Sequence, residues 1–279
     1  MIRWLTPPKS PKVRKYIETY WYLEKSHAAE SFERPKLNPD PSAHLILCAP
    51  NQSYHYKVQD DLQTGEGSHW LYPYSKTLEL DHTQSVFCLG IKFKVGALYS
   101  LNNGDFSNQF NNTVKQLNFE TFNHNPLISE IKLLLAAKNA PDKCSDMLDE
   151  VLLPLLADCY EDKHSELTRR VIPLLSPTPI NELGAILGCS QRTLERSFLR
   201  VTGFTLKQCQ SMNKLEAMLE YLYQRQQSDI DWVDIAYQFG FSDQPHLIRY
   251  LKQQINLTPN SYAQQRDFTI DLYGGVVSK

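Results

Sequence analysis

Apolar positions recur along this chain in two rhythms. Between Thr19 and Val95 the segments TYWYLEK, SAHLILCA, SYHYKVQ, HWLYPYS, KTLELD and SVFCLGIKFKV are aromatic and β-branched, and clusters of Pro, Asn, Asp and Gly separate them. Such segments predict strands, because these side chains pack well on a pleated surface and the separators are turn formers. Residues 86–95 alternate, which places Phe87, Leu89, Ile91, Phe93 and Val95 on one face. Six or more short strands in succession predict a small β-barrel or sandwich. Ahead of them, after Pro7, Pro8 and Pro11, residues 13–18 are expected to form a short helix.

From Gly96 the spacing lengthens: a short helix is expected, then an Asn-rich connector over 102–112. Residues 126–137 carry Leu127, Ile131, Leu134 and Leu135 at helical spacing, and 145–160 carry Met147, Leu148, Val151, Leu152, Leu155 and Leu156. The second helix is apolar over so wide an arc that it needs cover on more than one side. Its own barrel and neighbour helix can supply that cover, or a second chain can, in a homodimer seam. The charged run EDKHSE (161–166) is the expected interdomain linker, and 167–175 is a helix stopped by Ser176-Pro177-Thr178-Pro179.

The last hundred residues say one thing twice. Leu183, Gly184, Leu187 and Gly188 recur as Ile235, Ala236, Phe239 and Gly240, and Leu194, Arg196, Phe198 and Thr205 recur as Leu247, Arg249, Leu251 and Thr258. The offset grows by one residue at the turn. A helix, a glycine that permits the left-handed conformation, a capping Ser or Asp and a second helix make up a helix–turn–helix unit. Between the units, Leu206, Cys209, Met212, Leu215, Leu219 and Leu222 form one stripe of a helix over 206–223. At 1.5 Å per residue it is roughly 25 Å long. That length can place two recognition helices about one DNA turn, near 34 Å, apart.

The second helix of each unit carries the candidate chemistry. With Leu194 and Phe198 turned inward, Gln191, Arg192, Glu195 and Arg196 are left accessible; with Leu247 and Leu251 inward, Gln244, His246, Arg249 and Gln253 are. Arg reads guanine bidentately, Gln reads adenine, and Glu accepts from cytosine. Most charged helical residues are merely solvated, and the repeat with its matched Arg196 and Arg249 is what favours the reading role. Thr258 and the amides that follow it are candidates for phosphate contact.

Composition limits these readings. The net charge of −2 offers no bulk basic signature, so DNA binding must rest on the repeat alone. Asp229, Asp231, Asp234 and Asp243 crowd the second unit, so non-specific affinity is expected to be modest and salt-dependent. Six scattered cysteines with no CxxC pair suit reduced thiols of a cytoplasmic protein. No apolar run approaches the roughly 18 residues of a membrane span.

The pieces CSQRTLERSFLRVTGFT and WVDIAYQFGFSDQPHLIRYLKQQINLTPNSY resemble the AraC/XylS family of bacterial transcription regulators. The resemblance implies a seven-helix DNA-binding domain whose Arg192, Glu195, Arg196, Gln244, His246 and Arg249 face bases. The chain departs from the family's habit at Leu206 for Pro, Lys214 for Arg, Leu251 for Phe and Asn256 for Gly. LNPDPSAHLIL (37–47) and FCLGIKFKVGALYSL (87–101) resemble the β-rich sensor domains of one branch of these regulators. In that branch such a domain binds a small effector, forms the dimer, or does both.

The expectation is an α+β chain of two domains: a small cupin-like β-barrel with helices over 1–160, an AraC-type domain over 165–266, and a tail over 267–279. Expected partners are double-stranded promoter DNA, RNA polymerase, a small-molecule effector in the barrel and a second copy of the chain, with no membrane. Trp4, Tyr20, Trp21, Tyr22, Tyr54, Tyr56, Trp70, Tyr72 and Tyr74 either line an effector pocket or fill the barrel. The alternatives are a metal-dependent cupin-like enzyme, or a dimerisation module without ligand, fused to the DNA-binding domain. His44, His55, His69 and His82 lie on or near predicted strands, but no HxH pair with a following Glu, no GxSxG and no glycine-rich phosphate loop is present. Neither an enzyme nor a bound metal or cofactor is therefore expected.

Overall fold

The computed structural model describes residues 2–25, 34–102, 104, 111–123, 125–225 and 229–265. The expected tail over 267–279 lies outside them. The described residues of the first half hold the strands β1 (Ile2–Thr6), β2 (Ile17–Lys25), β3 (Lys36–Leu37), β4 (His44–Cys48), β5 (Ser53–Val58), β6 (Asp61–Glu66), β7 (His69–Leu71), β8 (Leu78–Leu80), β9 (Val86–Phe93) and β10 (Val114–Gln116). They form two antiparallel sheets, ordered β1-β2-β9-β4-β7-β10 and β3-β8-β5-β6. The β-rich domain thus has the expected class, built as two sheets and not as a closed barrel.

A short helix α1 (Pro11–Arg14) separates β1 from β2, and α2 (Ala97–Leu101) follows β9. The expected helix at 13–18 is shorter and earlier, because Pro11 starts it and Ile17 is already paired with Phe93 in the sheet. Three helices then close the domain: α3 (Phe119–Phe122), α4 (Glu130–Asn139) and α5 (Pro141–Ala157).

These elements make three layers. Leu45, Leu47, Leu89, Ile91 and Phe93 of the larger sheet pack against Leu133, Ala137, Leu148, Val151 and Leu152 of α4 and α5. On its other face Trp21, Ile46, Cys48, Val86 and Cys88 meet Tyr56, Leu78 and Leu80 of the smaller sheet, with Tyr74 of the connecting loop. β9 is therefore buried on both sides. Of the alternating set expected on its one apolar face, Phe87 at the strand end is 39% exposed. A strand in the middle layer has no solvent face to leave polar.

The wide apolar arc of α5 is covered within the chain: Leu148, Val151, Leu152 and Leu156 are buried against the sheet and α4. The uncovered stripe is on and just before α4, where Leu127, Ile131 and Leu135 are exposed. Most of the aromatic set is core. Tyr20, Trp21, Tyr22, Tyr56, Tyr72 and Tyr74 are buried, while Trp4, Tyr54 and Trp70 pack against them partly covered.

The remaining helices are α6 (Lys163–Val171), α7 (Ile180–Ile186), α8 (Gln191–Thr202), α9 (Leu206–Tyr223), α10 (Trp232–Gln238), α11 (Gln244–Ile255) and α12 (Pro259–Gln265). The expected linker at 161–166 is not a loose spacer. Asp162 caps α6 by accepting from the amides of His164 and Ser165, and Tyr99 donates to its other oxygen at 2.8 Å. Beside it, burial would raise the Glu161 carboxyl, but hydrogen bonds from Arg169, Tyr16 and Lys15 hold it down at about 2. The charges that marked a linker in sequence are satisfied across the domain junction.

A candidate nucleic-acid interface

Each repeat folds as two helices over a shared apolar corner. In the first, Leu183, Leu194 and Phe198 are buried with Leu206, Cys209 and Met212 from the front half of α9. In the second, Ile235, Ala236, Leu247 and Leu251 are buried with Leu215, Met218, Leu219 and Leu222 from its back half. α9 is thus a common spine of 18 residues, about 27 Å long. All six residues of the expected stripe are buried, as is Met218, and the structure divides them between the two units.

The turns explain the offset between the copies. Gly188 and Gly240 adopt left-handed φ values of 71° and 66°. Four residues separate α7 from α8 and five separate α10 from α11, so the second turn has one more. Ser190 caps α8 through the Thr193 amide, and Asp243 caps α11 through the His246 amide at 2.7 Å. Asp231 likewise caps α10 through the amides of Val233 and Asp234. Two of the four acids that crowd the second unit are therefore held by helix N-termini, which favour negative charge.

The candidate reading residues fall into two groups. Arg192, Arg196, Arg249 and Gln253 project from α8 and α11 and are exposed, and no ion pair involving the three arginines occurs among the described residues. Glu195 and His246 are also exposed but have local partners: Gln191 donates to Glu195 at 3.0 Å, and the His246 ring lies 3.3 Å from the Ser242 hydroxyl and edge-on to Phe241. Gln191 is half-buried, its side-chain oxygen accepting from the Gly184 amide across the turn at 3.3 Å. Gln244 is half-buried at the start of α11. Thr258 caps α12, accepting from the Ser261 amide at 3.1 Å while its hydroxyl meets that of Ser261 at 2.8 Å.

Three features support the second unit, and the partners of the first two were not legible in sequence. The Lys214 ammonium sits 3.6 Å from the centre of the Phe241 ring, tying α9 to the second turn. The Tyr250 hydroxyl donates to the Ser211 carbonyl at 2.5 Å, pinning α11 to α9. Asn256 ends α11 in the left-handed region, φ 56°, where the resemblance expects Gly; Asn tolerates that conformation better than most residues.

The N-terminal domain touches this assembly at several places. Asn111 donates to the Gly203 carbonyl after α8 at 3.2 Å, and the Thr77 hydroxyl donates to the Gln254 carbonyl near the end of α11 at 2.9 Å. A cavity of about 340 Å³ lies at the junction, lined by Lys15, Tyr16, Lys94, Thr168, Arg169 and Val201 among others. His44 and His69 are buried in the sheets, bonded to Asp40 and to Tyr56 respectively. Burial pushes His69 down to about 4, so its ring is neutral at ordinary pH. Among the described residues, no three His, Cys, Asp or Glu side chains come together as a metal site. No described helix is long and apolar enough to cross a membrane.

The C-terminal helices form two helix–turn–helix units on one spine, the architecture of a DNA-binding domain. Residues 183–265 match a family described as a helix-turn-helix domain, and residues 6–115 match a domain of unknown function (DUF6597). The C-terminal domain is a helix–turn–helix domain of the AraC type, joined to an N-terminal domain whose family has no assigned role. No curated protein matches the chain. Among solved structures, ToxT from Vibrio cholerae is similar at 12% identity, over 88% of this chain and 97% of that one, with a TM-score of 0.42. ToxT bound to (E)-4-(8-methylnaphthalen-1-yl)but-3-enoic acid is similar at 11% identity, over 87% and 97%, with a TM-score of 0.44. The AraC-like transcriptional activator CuxR is similar at 12% identity, over 76% and 85%, with a TM-score of 0.26.

Proposed function

We propose that the chain regulates transcription by laying α8 and α11 in two successive major grooves of a promoter, with the N-terminal domain setting how that reader is presented. One observation carries the reading: two copies of the same unit, joined by α9, each expose arginine on the second helix with no ion pair among the described residues. Arg192, Arg196 and Arg249 supply base or phosphate contacts, with Gln253, Glu195 and His246 beside them. Gln191 is better placed to stiffen its turn than to reach bases, and half-buried Gln244 stands at the start of α11. Thr258 serves first as a helix cap, whose amide-rich end lies ready for a phosphate.

Control by a small effector belongs to the same proposal. The aromatic side chains of the sheets fill the core, whereas the junction cavity is lined by both domains, so a molecule bound there acts on their disposition directly.

Arg249→Ala is expected to weaken binding to a selected site by about 1–3 kcal/mol and to relax preference at one base pair. The check is a competition assay on specific and random duplexes at fixed salt. Equal loss on both would make Arg249 a phosphate contact. If the isolated domain over 165–266 activated its promoter as fully as the whole chain under all conditions, control by the first domain would be untenable.

A further inference from the structure

The midpoint of α9 is pinned to the sheet domain by a cluster in which charge does not balance. Lys92 projects from β9 and is buried, 3% exposed. Its ammonium lies 3.1 Å from an Asp40 carboxylate oxygen, 3.8 Å from Glu18 of β2 and 3.9 Å from Glu216 of α9. His44 of β4 lies behind Asp40, its Nε2 at 3.2 Å from the same carboxylate oxygen. Tyr74 is buried near Asp40, and Glu220 stands one turn along α9 from Glu216. Glu216 is the only one of the three carboxylates around Lys92 that the DNA-binding domain contributes.

One ammonium cannot satisfy three carboxylates. Asp40 makes the close pair: burial alone would raise its carboxyl, but Lys92 and then His44 hold it well below the usual range. Lys92 is held high in turn by Asp40, Glu18 and Glu216, despite its burial. With Lys92 largely neutralised, Glu216 faces the residual negative charge of Asp40, Glu18 and Glu220. Glu216 is the carboxylate carried away from Lys92 when α9 leaves the sheet domain.

We propose that Glu216 is a proton-linked latch between the two domains: protonated, it lets α9 seat against Lys92, Asp40 and Glu18, and ionised, it loosens that seat. The proposal rests on the reading that the first domain sets the presentation of the second. Partial burial, against the opposing pull of Lys92 and with the push of Asp40 and Glu18, raises the Glu216 carboxyl to about 7 in the seated arrangement. Separated, it returns to the ordinary carboxylate range near 4.5. Seating therefore takes up a proton. It is favoured most below the ordinary carboxylate range and is weakened progressively as pH rises through the raised value. Because Glu216 is 47% exposed, solvent screening moderates the effect without changing its sign.

Small-angle X-ray scattering of the full chain without DNA tests this directly. As pH rises from about 4.5 to about 7 the radius of gyration of the natural protein is expected to grow, with little further change above that range. Glu216→Gln, which keeps the shape of the protonated side chain, is expected to stay compact at both ends. Glu220→Gln, one turn along the same helix, removes one of the repelling charges and is expected to keep the response, moved to lower pH. A natural protein whose dimensions do not change over this range overturns the latch. So does a Glu216→Gln variant that opens as the natural protein does, or a Glu220→Gln variant that also loses the response. The readout contains no DNA, so failure here leaves the DNA-binding proposal standing, and failure of Arg249→Ala leaves the latch standing.

Discussion

Trp21 and Gly90 are register partners across β2 and β9, and a Cβ built on Gly90 would lie 1.9 Å from two Trp21 ring carbons. Trp21 is fully buried between the two sheets, so its ring has nowhere to retreat. Gly90→Ala is expected to destabilise the protein by about 1–3 kcal/mol through overpacking. Urea unfolding followed by tryptophan fluorescence reads this out; an unchanged midpoint would mean that the sheets can part locally. Nothing in the strand rhythm distinguishes Gly90 from a position where Ala would serve. The exposed arginines were legible in sequence because a helix has a fixed period: once Leu194 and Leu247 are inside, Arg196 and Arg249 are outside. Lys214 was not, since its partner ring belongs to a helical unit brought near only by packing.

At the scale of elements, the helices written by capping residues and periodicity formed close to where they were expected. α9 covers the expected 206–223, and its capping box joins Thr205 to Gln208. Thr205→Ala and Thr258→Ala are each expected to lower stability by about 1 kcal/mol, because each removes the acceptor for an orphan amide of the following helix. Melting curves set beside DNA titrations separate the roles of Thr258. If Thr258→Ala left the melting temperature unchanged but weakened binding to every duplex alike, its hydroxyl would be a phosphate contact and not chiefly a cap. Where expectation and structure parted, a longer-range partner intervened. The helix at 13–18 gave way because β9 recruits Ile17 into the sheet. The linker at 161–166 became the start of α6 because Tyr99, Tyr16, Lys15 and Arg169 meet its acids.

For the molecule as a whole, two recognition helices on one spine predict a footprint with two protected stretches on one face of the duplex, about one helical turn apart. Hydroxyl-radical footprinting of the full chain checks this. A single protected stretch would mean that only one unit enters a groove, and four stretches with two-fold symmetry would report a pair of chains on the site. The exposed stripe of Leu127, Ile131 and Leu135 makes the number of chains worth reading from that pattern.

The amino-acid sequence by itself determined the local features: strands where aromatic and β-branched residues alternate, helices where apolar residues recur every three or four, and the duplicated unit with its outward arginines. These follow from backbone period and capping, which act over a few residues and leave a trace in any short window. Tertiary structure alone decided which layer each strand occupies, that β9 has no solvent face, and that Lys92 of one domain meets Glu216 of the other. Side chains so far apart along the chain share no period. Only the closing of three layers around β9, and the docking of α9 upon them, brings one buried ammonium within reach of three carboxylates.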